Sequence, residues 1–165
     1  MITTQNTTKL LSVLALFAGA HILFKEIQKK SNNPKNIRAV IQNWINTVCR
    51  HNPQEIVSLY APEGVLLGTV AKSMKVGRKQ ILGYFEMFVG KEPCGYITEI
   101  NVQNFGSDYA VADGTYTFEL TNEEGSRDIV PARFTFVLRR VVGGPNTPNR
   151  GGWVIASHHS SAQPE

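Results

Sequence analysis

The hydrophobic period of this chain changes from helical to extended near residue 95, and this change limits the folds open to the chain. In the first part, apolar residues recur at three- and four-residue steps: Ile37, Val40, Ile41, Trp44, Ile45 and Val48. From Gly95 onward, apolar and polar residues alternate instead. The first period is that of an amphipathic helix, and the second is that of a strand with one buried face. Helices followed by consecutive strands predict an α+β domain.

The same patterns predict the individual elements. A long helix runs from Ile37 to about His51, a short helix follows Pro53, and a third helix covers Gly77–Phe88. A turn and a short strand lie between the second and third helices, at 61–64 and 65–67. The remaining strands are predicted at 96–105, 109–121, 128–142 and 153–161, joined by polar or glycine-rich loops.

The N-terminal segment, residues 1–30, is predicted to be separate from a domain at 31–165. Residues 10–24 carry no charge, but these 15 residues are fewer than the ~20 that span a bilayer as a helix. One interpretation is a signal peptide with a cleavage site at 18–20, which would leave the domain exported. The other is a membrane anchor over residues 10–27, and a buried or partner-docking helix is a third alternative. The lysines that follow the run favour an anchor and favour keeping that side cytoplasmic.

Charge, cysteine content and motifs narrow the function classes. The net charge of +4 is modest and the basic residues are scattered, so no nucleic-acid partner is predicted. Cys49 and Cys94 could form one bridge, but buried free thiols are the commoner case. The sequence contains no C-x-x-C, H-E-x-x-H or P-loop pattern, so no metal site and no cofactor are predicted.

The last strand turns polar near the end of the chain, where the sequence His158-His159-Ser160-Ser161 stands. Successive side chains of a strand point to opposite faces, so His158 and Ser160 share one face and His159 lies on the other. The two adjacent histidines therefore cannot serve one site unless the strand contains a bulge.

The chain resembles the nuclear transport factor 2-like superfamily, and three motifs carry the resemblance. The tail reads W-x-I-x-x-H-H-S-S-x-x-P-E from Trp153, R-F-T-F-V-L-R-R precedes it at 133–140, and G-x-x-x-I-x-x-Y-F stands at 77–85. Within the superfamily, the chain is similar to SnoaL-like proteins and to the association domain of calcium/calmodulin-dependent kinase II. The resemblance runs from Asn36 to Glu165. It implies a cystatin-like α+β roll, in which a strongly curved antiparallel sheet wraps around the helices to form a cone. It does not imply one activity, because the superfamily includes isomerases, cyclases, hydrolases and assembly domains.

Alternation along the strands sorts their residues into an aromatic face and a polar face. The aromatic face collects Tyr116, Phe118, Leu120, Phe134, Phe136, Leu138, Trp153 and Ile155. The polar face collects Asp113, Thr115, Thr117, Glu119, Arg133, Thr135, Val137, Val154, Ala156, His158 and Ser160. The resemblance implies that one face lines a pocket with the helices and that the other pairs with another subunit. We predict that the polar face lines the pocket and that the aromatic face is the interface, although periodicity alone also permits the reverse.

The predicted pocket contains candidates for acid–base chemistry and for ligand binding. His158 and Asp113 are the candidate general bases, and Arg133 is a candidate clamp for a small anionic or carbonyl-bearing ligand. The other candidate ligand-binding residues are Tyr60, Tyr84, Thr115, Thr135 and Ser160. The resemblance places the arginines of the kinase-type pocket at about Thr115, Thr135 and Ser160, so its ligand preference is not carried over. A cross-strand ion pair of Asp113 with Arg133 is an equally favoured alternative.

Three functions are consistent with these observations. The first is an association domain, with or without a ligand, that forms a homodimer or a larger ring and is tethered by its N-terminal segment. Its predicted interface residues are Tyr116, Phe118, Phe134, Phe136, Trp153, Ile155 and His159. The second is a SnoaL-like enzyme of the isomerase or cyclase type that uses His158 or Asp113 as its base. The third is an accessory subunit of a membrane complex.

Overall fold

The computed structural model describes residues 34–141 and 152–164, with side chains from Ile37 onward. The helices are α1 (Pro34–Val48), α2 (Pro53–Ser58) and α3 (Gly77–Phe88), the last followed by a 3₁₀ turn at Val89–Lys91. The strands are β1 (Tyr60–Leu67), β2 (Lys75–Val76), β3 (Cys94–Phe105), β4 (Tyr109–Thr121), β5 (Arg127–Arg140) and β6 (Trp153–Ala162). The predicted N-terminal anchor or signal peptide and most of the predicted 143–152 loop lie outside the described residues.

The strands form one sheet in the order β2-β1-β6-β5-β4-β3. Strands β3 to β6 form an antiparallel meander, whereas β1 pairs with β6 in parallel. This arrangement confirms the predicted α+β class and the antiparallel sheet around the helices. The bounds predicted for α3 and β4 are those observed. The short strand predicted at 65–67 begins earlier, at Tyr60.

Local side-chain bonds fix the ends of the helices. The Asn52 side chain accepts hydrogen bonds from the backbone N–H groups of Gln54 and Glu55 at 3.1 and 3.2 Å and so caps α2. The Arg78 guanidinium donates to the carbonyl oxygen of Tyr60 at 2.9 and 2.6 Å, which ties α3 to the start of β1. The bonds from Arg78 therefore hold Tyr60, the first residue of β1, beside α3.

The aromatic face of the sheet packs on the helices, so the predicted assignment of the two faces is wrong. Every residue assigned to that face is buried within this chain, Phe136 and Ile155 completely. The six predicted interface residues Tyr116, Phe118, Phe134, Phe136, Trp153 and Ile155 therefore form the core. The physical reason is that α1 and α3 present a large apolar surface of their own, and the aromatic face is the one that matches it. We call this the inner face.

A bulge in β6 places His158 and Ser160 on the inner face as well. Ile155 pairs with Leu138 and Ser157 pairs with Val137, so Ala156 is an extra residue in β6. An extra residue reverses the alternation beyond it. Simple alternation from Trp153 and Ile155 would put His158 on the opposite face of the sheet. The bulge returns His158 to the face of Trp153 and Ile155, where His158 pairs with Phe136. Strand β1 is irregular at the same level, between Tyr60 and Val65.

The opposite face, which we call the outer face, holds the other predicted pocket residues. Asp113 pairs with Thr135 across β4 and β5, and Thr115 pairs with Arg133. The Thr135 hydroxyl donates to the Asp113 carboxylate at 2.7 Å. Asp113, Thr115, Arg133 and Thr135 therefore do not line the cone. Among the ion pairs of the described residues, none joins Asp113 to Arg133.

The two cysteines form a disulfide, which corrects the expectation of free buried thiols. Cys49 follows α1, and the exposed Cys94 begins β3. Their Cα atoms lie 4.4 Å apart. The bridge joins the end of α1 to the edge strand of the sheet.

Within residues 34–141 and 152–164, no helix is long and apolar enough to cross a membrane. The predicted boundary between residues 30 and 31 stays a prediction.

We predict that Phe136→Ala lowers the free energy of unfolding by about 3–5 kcal/mol, because it leaves a cavity in the core. Arg133→Ala, on the adjacent outer face, is expected to change it by less than about 0.5 kcal/mol. Urea denaturation followed by circular dichroism measures both. A greater loss of stability in the arginine variant than in the phenylalanine variant would mean that the polar face, not the aromatic one, packs on the helices.

Candidate functional site

His158 lies at the centre of the inner face with aromatic rings on two sides. Its ring stacks on Phe136 at a centroid distance of 3.9 Å and an interplanar angle of 15°. The Trp44 ring from α1 meets it edge-on at 4.9 Å. Only 2% of its surface is exposed. The imidazole is therefore held in one orientation by packing.

Tyr60 supplies the hydrogen bond to His158. The Tyr60 hydroxyl oxygen lies 2.8 Å from Nδ1 of His158, and Tyr60 is fully buried. Burial raises the pKa of Tyr60, and the side chain of Trp44 lowers it by a smaller amount. The acceptor that the described structure offers to the Tyr60 proton is Nδ1. With the Tyr60 hydroxyl as donor, the proton of the neutral imidazole is on Nε2.

A second polar group lies two residues further along β6, around Ser160. The Tyr116 hydroxyl donates to the Ser160 hydroxyl at 2.5 Å. The Ser160 hydroxyl also shares a hydrogen bond with Thr69, from the loop after β1. Two hydrogen bonds link these three hydroxyls, so this end of the site is neutral and largely bonded already.

A cavity between α1, α3 and the inner face connects the two polar groups. About 30 Å³ of it is accessible to the centre of a water molecule, which is room for on the order of two waters. Its lining consists of Trp44, Leu66, Gly68, Thr69, Val70, Tyr84, Phe85, Phe88, Tyr116, Phe118, Leu120, Val130, Ala132, His158 and Ser160. None of these residues is an aspartate, glutamate, lysine or arginine. The site is therefore an apolar, uncharged cavity with a few polar atoms in its wall.

Two polar side-chain atoms are buried without a hydrogen-bond partner in the described part of the chain, and both belong to residues that line the cavity. They are Nε1 of Trp44 and Nε2 of His158. A buried polar group without a partner costs about 1–3 kcal/mol. Unsatisfied polar atoms in a native core call for an explanation, and a missing water or ligand is one of them.

Burial sets the charge states of the site. It lowers the pKa of His158 to about 3, with a smaller contribution from His159. It raises the pKa of Tyr60 and Tyr116 well above the ordinary value and that of Tyr84 to about 12. At neutral pH the imidazole and the phenols are therefore all uncharged. A neutral His158 with so low a pKa is a hydrogen-bonding group rather than an efficient general base.

The structure brings together some of the predicted site residues and separates others. The cavity is lined by His158, Ser160 and Tyr84, and Tyr60 forms a hydrogen bond with Nδ1 of His158. Asp113, Thr115, Arg133 and Thr135 lie on the outer face, so their assignment to the pocket is wrong. His159 is exposed on the outer face, where its predicted interface role stays a prediction.

Sequence reasoning misses Trp44, Thr69 and Tyr116 as parts of the site. The helical period assigns Trp44 only to the apolar stripe of α1, and no periodicity shows that Trp44 lines a cavity. One signal is present: Trp153, Val154 and Ile155 form an uninterrupted apolar run, which breaks alternation shortly before His158. Such a break is compatible with a bulge and with the reversal of faces that the bulge causes.

No group of three or more histidine, cysteine or acidic side chains within residues 34–141 and 152–164 could hold a metal ion.

The chain shares its fold with a solved structure described as a nuclear transport factor 2-like superfamily protein. The chain belongs to the calcium/calmodulin dependent protein kinase II association domain family, whose model matches residues 33–164. A structure described as an association domain of this kind, from Xanthomonas campestris, is 41% identical. It superposes with a TM-score of 0.69 and covers 78% of this chain and 86% of its own.

More distant structures show the same fold. A ketosteroid isomerase-like protein from Erwinia carotovora atroseptica is 18% identical with a TM-score of 0.64, covering 79% of this chain and 96% of its own. A superfamily member from Salmonella enterica serovar Typhimurium is 19% identical with a TM-score of 0.65, covering 79% and 91%. A comparison with curated proteins gave no match.

We predict that His158 makes the protein sensitive to acid. In the unfolded chain a histidine titrates near pH 6.5, whereas folded His158 does so at about 3. The unfolded chain therefore binds a proton first as the pH falls, and stability is lost from about pH 6.5 downward. Between pH 7 and pH 4 this loss amounts to about 3 kcal/mol.

His158→Phe is expected to remove this loss, because the ring is kept and the titrating nitrogens are not. Urea denaturation at pH 7 and pH 4 measures the difference for each protein. The exposed neighbour provides a matched control, since His159→Gln should retain most of the wild-type pH dependence. Equal losses in wild type and His158→Phe would show that His158 is not buried as a neutral ring.

Proposed function

We propose that this protein is an association domain that forms a homo-oligomer through the outer face of its sheet. The family to which it belongs is named for association, and the 41% identical structure from Xanthomonas campestris carries the same description. Because the aromatic inner face is used within the chain, the surface available for assembly is the opposite one.

The observation that carries the proposal is the composition of the outer face. Large apolar side chains are exposed near the two ends of its strands, at Tyr96, Phe105, Tyr109 and Ile129. Between them lie the half-buried facing pair Val111 and Val137, together with the charged Asp113 and Arg133. A sheet face that exposes large apolar side chains near both ends of its strands is suited to pair with a second copy of itself.

We expect native mass spectrometry of the full chain to show a dimer or a larger ring. The double variant Tyr109→Lys/Ile129→Lys should shift the full chain toward monomer, raising the dissociation constant by at least about tenfold, because it places charge in the interface. Met87→Lys is the matched control, since Met87 is 48% exposed but lies on α3. A monomeric wild type, or equal dissociation in the control, would contradict assembly through this face.

A second candidate function is ligand binding in the cone, and the unpartnered Nε2 of His158 favours it. A donor that is buried and bonded to nothing in the protein is satisfied by a ligand or a water that enters the cavity. An enzyme that uses His158 as general base is less well supported, because the pKa of about 3 leaves the ring a weak base near pH 7. Asp113 does not replace it, because that carboxylate lies on the outer face.

Tethering to a membrane through residues 10–27 is part of the same proposal. It rests on the uncharged run and its flanking lysines. Sedimentation of the full chain with the membrane fraction, resistant to high salt, is the expected result. Recovery of all of the protein in the soluble fraction would contradict both the membrane tether and the alternative of an accessory membrane subunit.

A further inference from the structure

We infer that the cone cavity takes an uncharged, mainly apolar ligand that presents a hydrogen-bond acceptor to Nε2 of His158. This inference rests on the proposal that the cavity is a ligand site and adds the chemical class of the ligand.

The first step is the direction of the missing hydrogen bond. Tyr60 bonds to Nδ1 of His158, and the only acceptor that the described residues offer to its proton is that nitrogen. The proton of the imidazole is then on Nε2, which makes this atom a donor. The other buried atom without a partner, Nε1 of Trp44, is also a donor. The donor on His158 therefore lacks an acceptor within the described residues, and a ligand can supply one.

The second step concerns charge. The described residues that line the cavity include no cation, and the buried His158 stays neutral at physiological pH. A carboxylate in this place would lose its hydration without gaining a counter-ion, which disfavours it strongly. A carbonyl oxygen accepts the same hydrogen bond without that penalty. The anionic ligand expected from the sequence depends on Arg133, which lies outside the cavity.

The third step concerns the rest of the lining. The hydroxyls of Ser160, Tyr116 and Thr69 bond to one another. They therefore place no strong demand on a ligand. The remaining surface is aromatic and aliphatic, from Phe85, Phe88 and Phe118 among others. A small apolar body, of about the size of the two waters that the cavity holds, fits this part, and Val70, which is exposed, marks the side from which it enters.

Three small probes with equal numbers of non-hydrogen atoms test the inference: acetone, acetate and isobutene. The first is an uncharged acceptor, the second carries a charge, and the third has no acceptor. Binding to the full chain is followed by NMR through the indole N–H signal of Trp44, with that of Trp153 as an internal reference. We expect the ketone to bind at least about tenfold more tightly than the carboxylate.

The variant His158→Phe keeps the stacked ring and removes the donor. It should weaken binding of the ketone about tenfold and leave the hydrocarbon within about twofold. Carboxylate binding as tight as that of the ketone would overturn the inference while leaving the ligand site in place. Failure of all three probes to move the Trp44 signal would overturn the ligand site itself. Equal weakening of ketone and hydrocarbon in the variant would show that Nε2 does not select the ligand.

A second observation, the disulfide, carries an independent inference: this domain matures in an oxidising compartment. Other bonds besides the Cys49–Cys94 bridge also join the end of α1 to the start of β3. His51 Nε2 lies 3.0 Å from the carbonyl oxygen of Pro93, and Arg127 donates to the carbonyl oxygen of Glu92 at 3.1 Å. His51 and Glu92, one on each side of the bridge, are the only non-glycine residues of the described chain with positive φ.

Because Cys94 is exposed, the disulfide indicates whether the domain resides in a reducing or an oxidising compartment. An accessible disulfide in the cytoplasm is reduced by the thiol pool, whereas it persists in the periplasm or outside the cell. The bridge thus places the domain on the non-cytoplasmic side, opposite to the side that the lysines after residue 24 favour. It agrees with the interpretation of the N-terminal segment as a cleaved export signal or as an anchor that carries the domain across the membrane.

Thiol trapping in intact source cells tests this inference. A membrane-permeable maleimide is added before lysis, and the full chain is then analysed by its gel shift, with and without prior reduction. We expect no labelled cysteine until a reductant is added. A majority of chains labelled without reductant would overturn the inference. The double variant Cys49→Ser/Cys94→Ser, unlabelled in both conditions, is the control for other sites of reaction.

Discussion

The packing of Trp44 against the inner face of the sheet is the contact on which the rest of this structure depends. The indole ring from α1 contacts the rings of Phe85, Tyr116, Phe136 and His158, so it joins the helices to β4, β5 and β6. Aromatic pairs of this kind contribute beyond the area that they bury. Once the aromatic face is used in this way, the polar face must lie outward. The location of the proposed interface and the composition of the cavity both result from that choice.

The bulge at Ala156 gives the core, among the described residues, its one imidazole. Without the extra residue, the face that carries Ile155 would end in Ser157 and His159 rather than in His158 and Ser160. The bulge thus moves a titratable group into an apolar environment, where Tyr60 holds one nitrogen and burial keeps the ring neutral. A neutral donor in an uncharged cavity is suited to recognise a carbonyl. This cavity differs in charge from a pocket lined by arginines, and charge is the property that selects between neutral and anionic ligands.

The sequence predicts the elements well and the site only in part. The predicted bounds of the helix at Gly77–Phe88 and of the strand at Tyr109–Thr121 agree with the structure to the residue, because their hydrophobic periods are regular and bounded by turn residues. Four predicted pocket residues, among them Asp113 and Arg133, lie on the other face of the sheet. Period-two alternation separates the two faces of a sheet but does not say which one the helices cover. The disulfide is likewise undetermined by the sequence, since spacing along the chain does not give the distance in space between two cysteines.

The sequence by itself determined the fold family, the order of the elements and the two faces of the sheet. Each of these is recorded in local periodicity or in the motifs of the last strand. Only the tertiary structure decided which face is buried, that His158 lies inside it, and that Cys49 meets Cys94. These properties depend on the match between the helices and one face of the sheet, and on a single extra residue in β6. Both are relations between distant parts of the chain, which no local pattern contains.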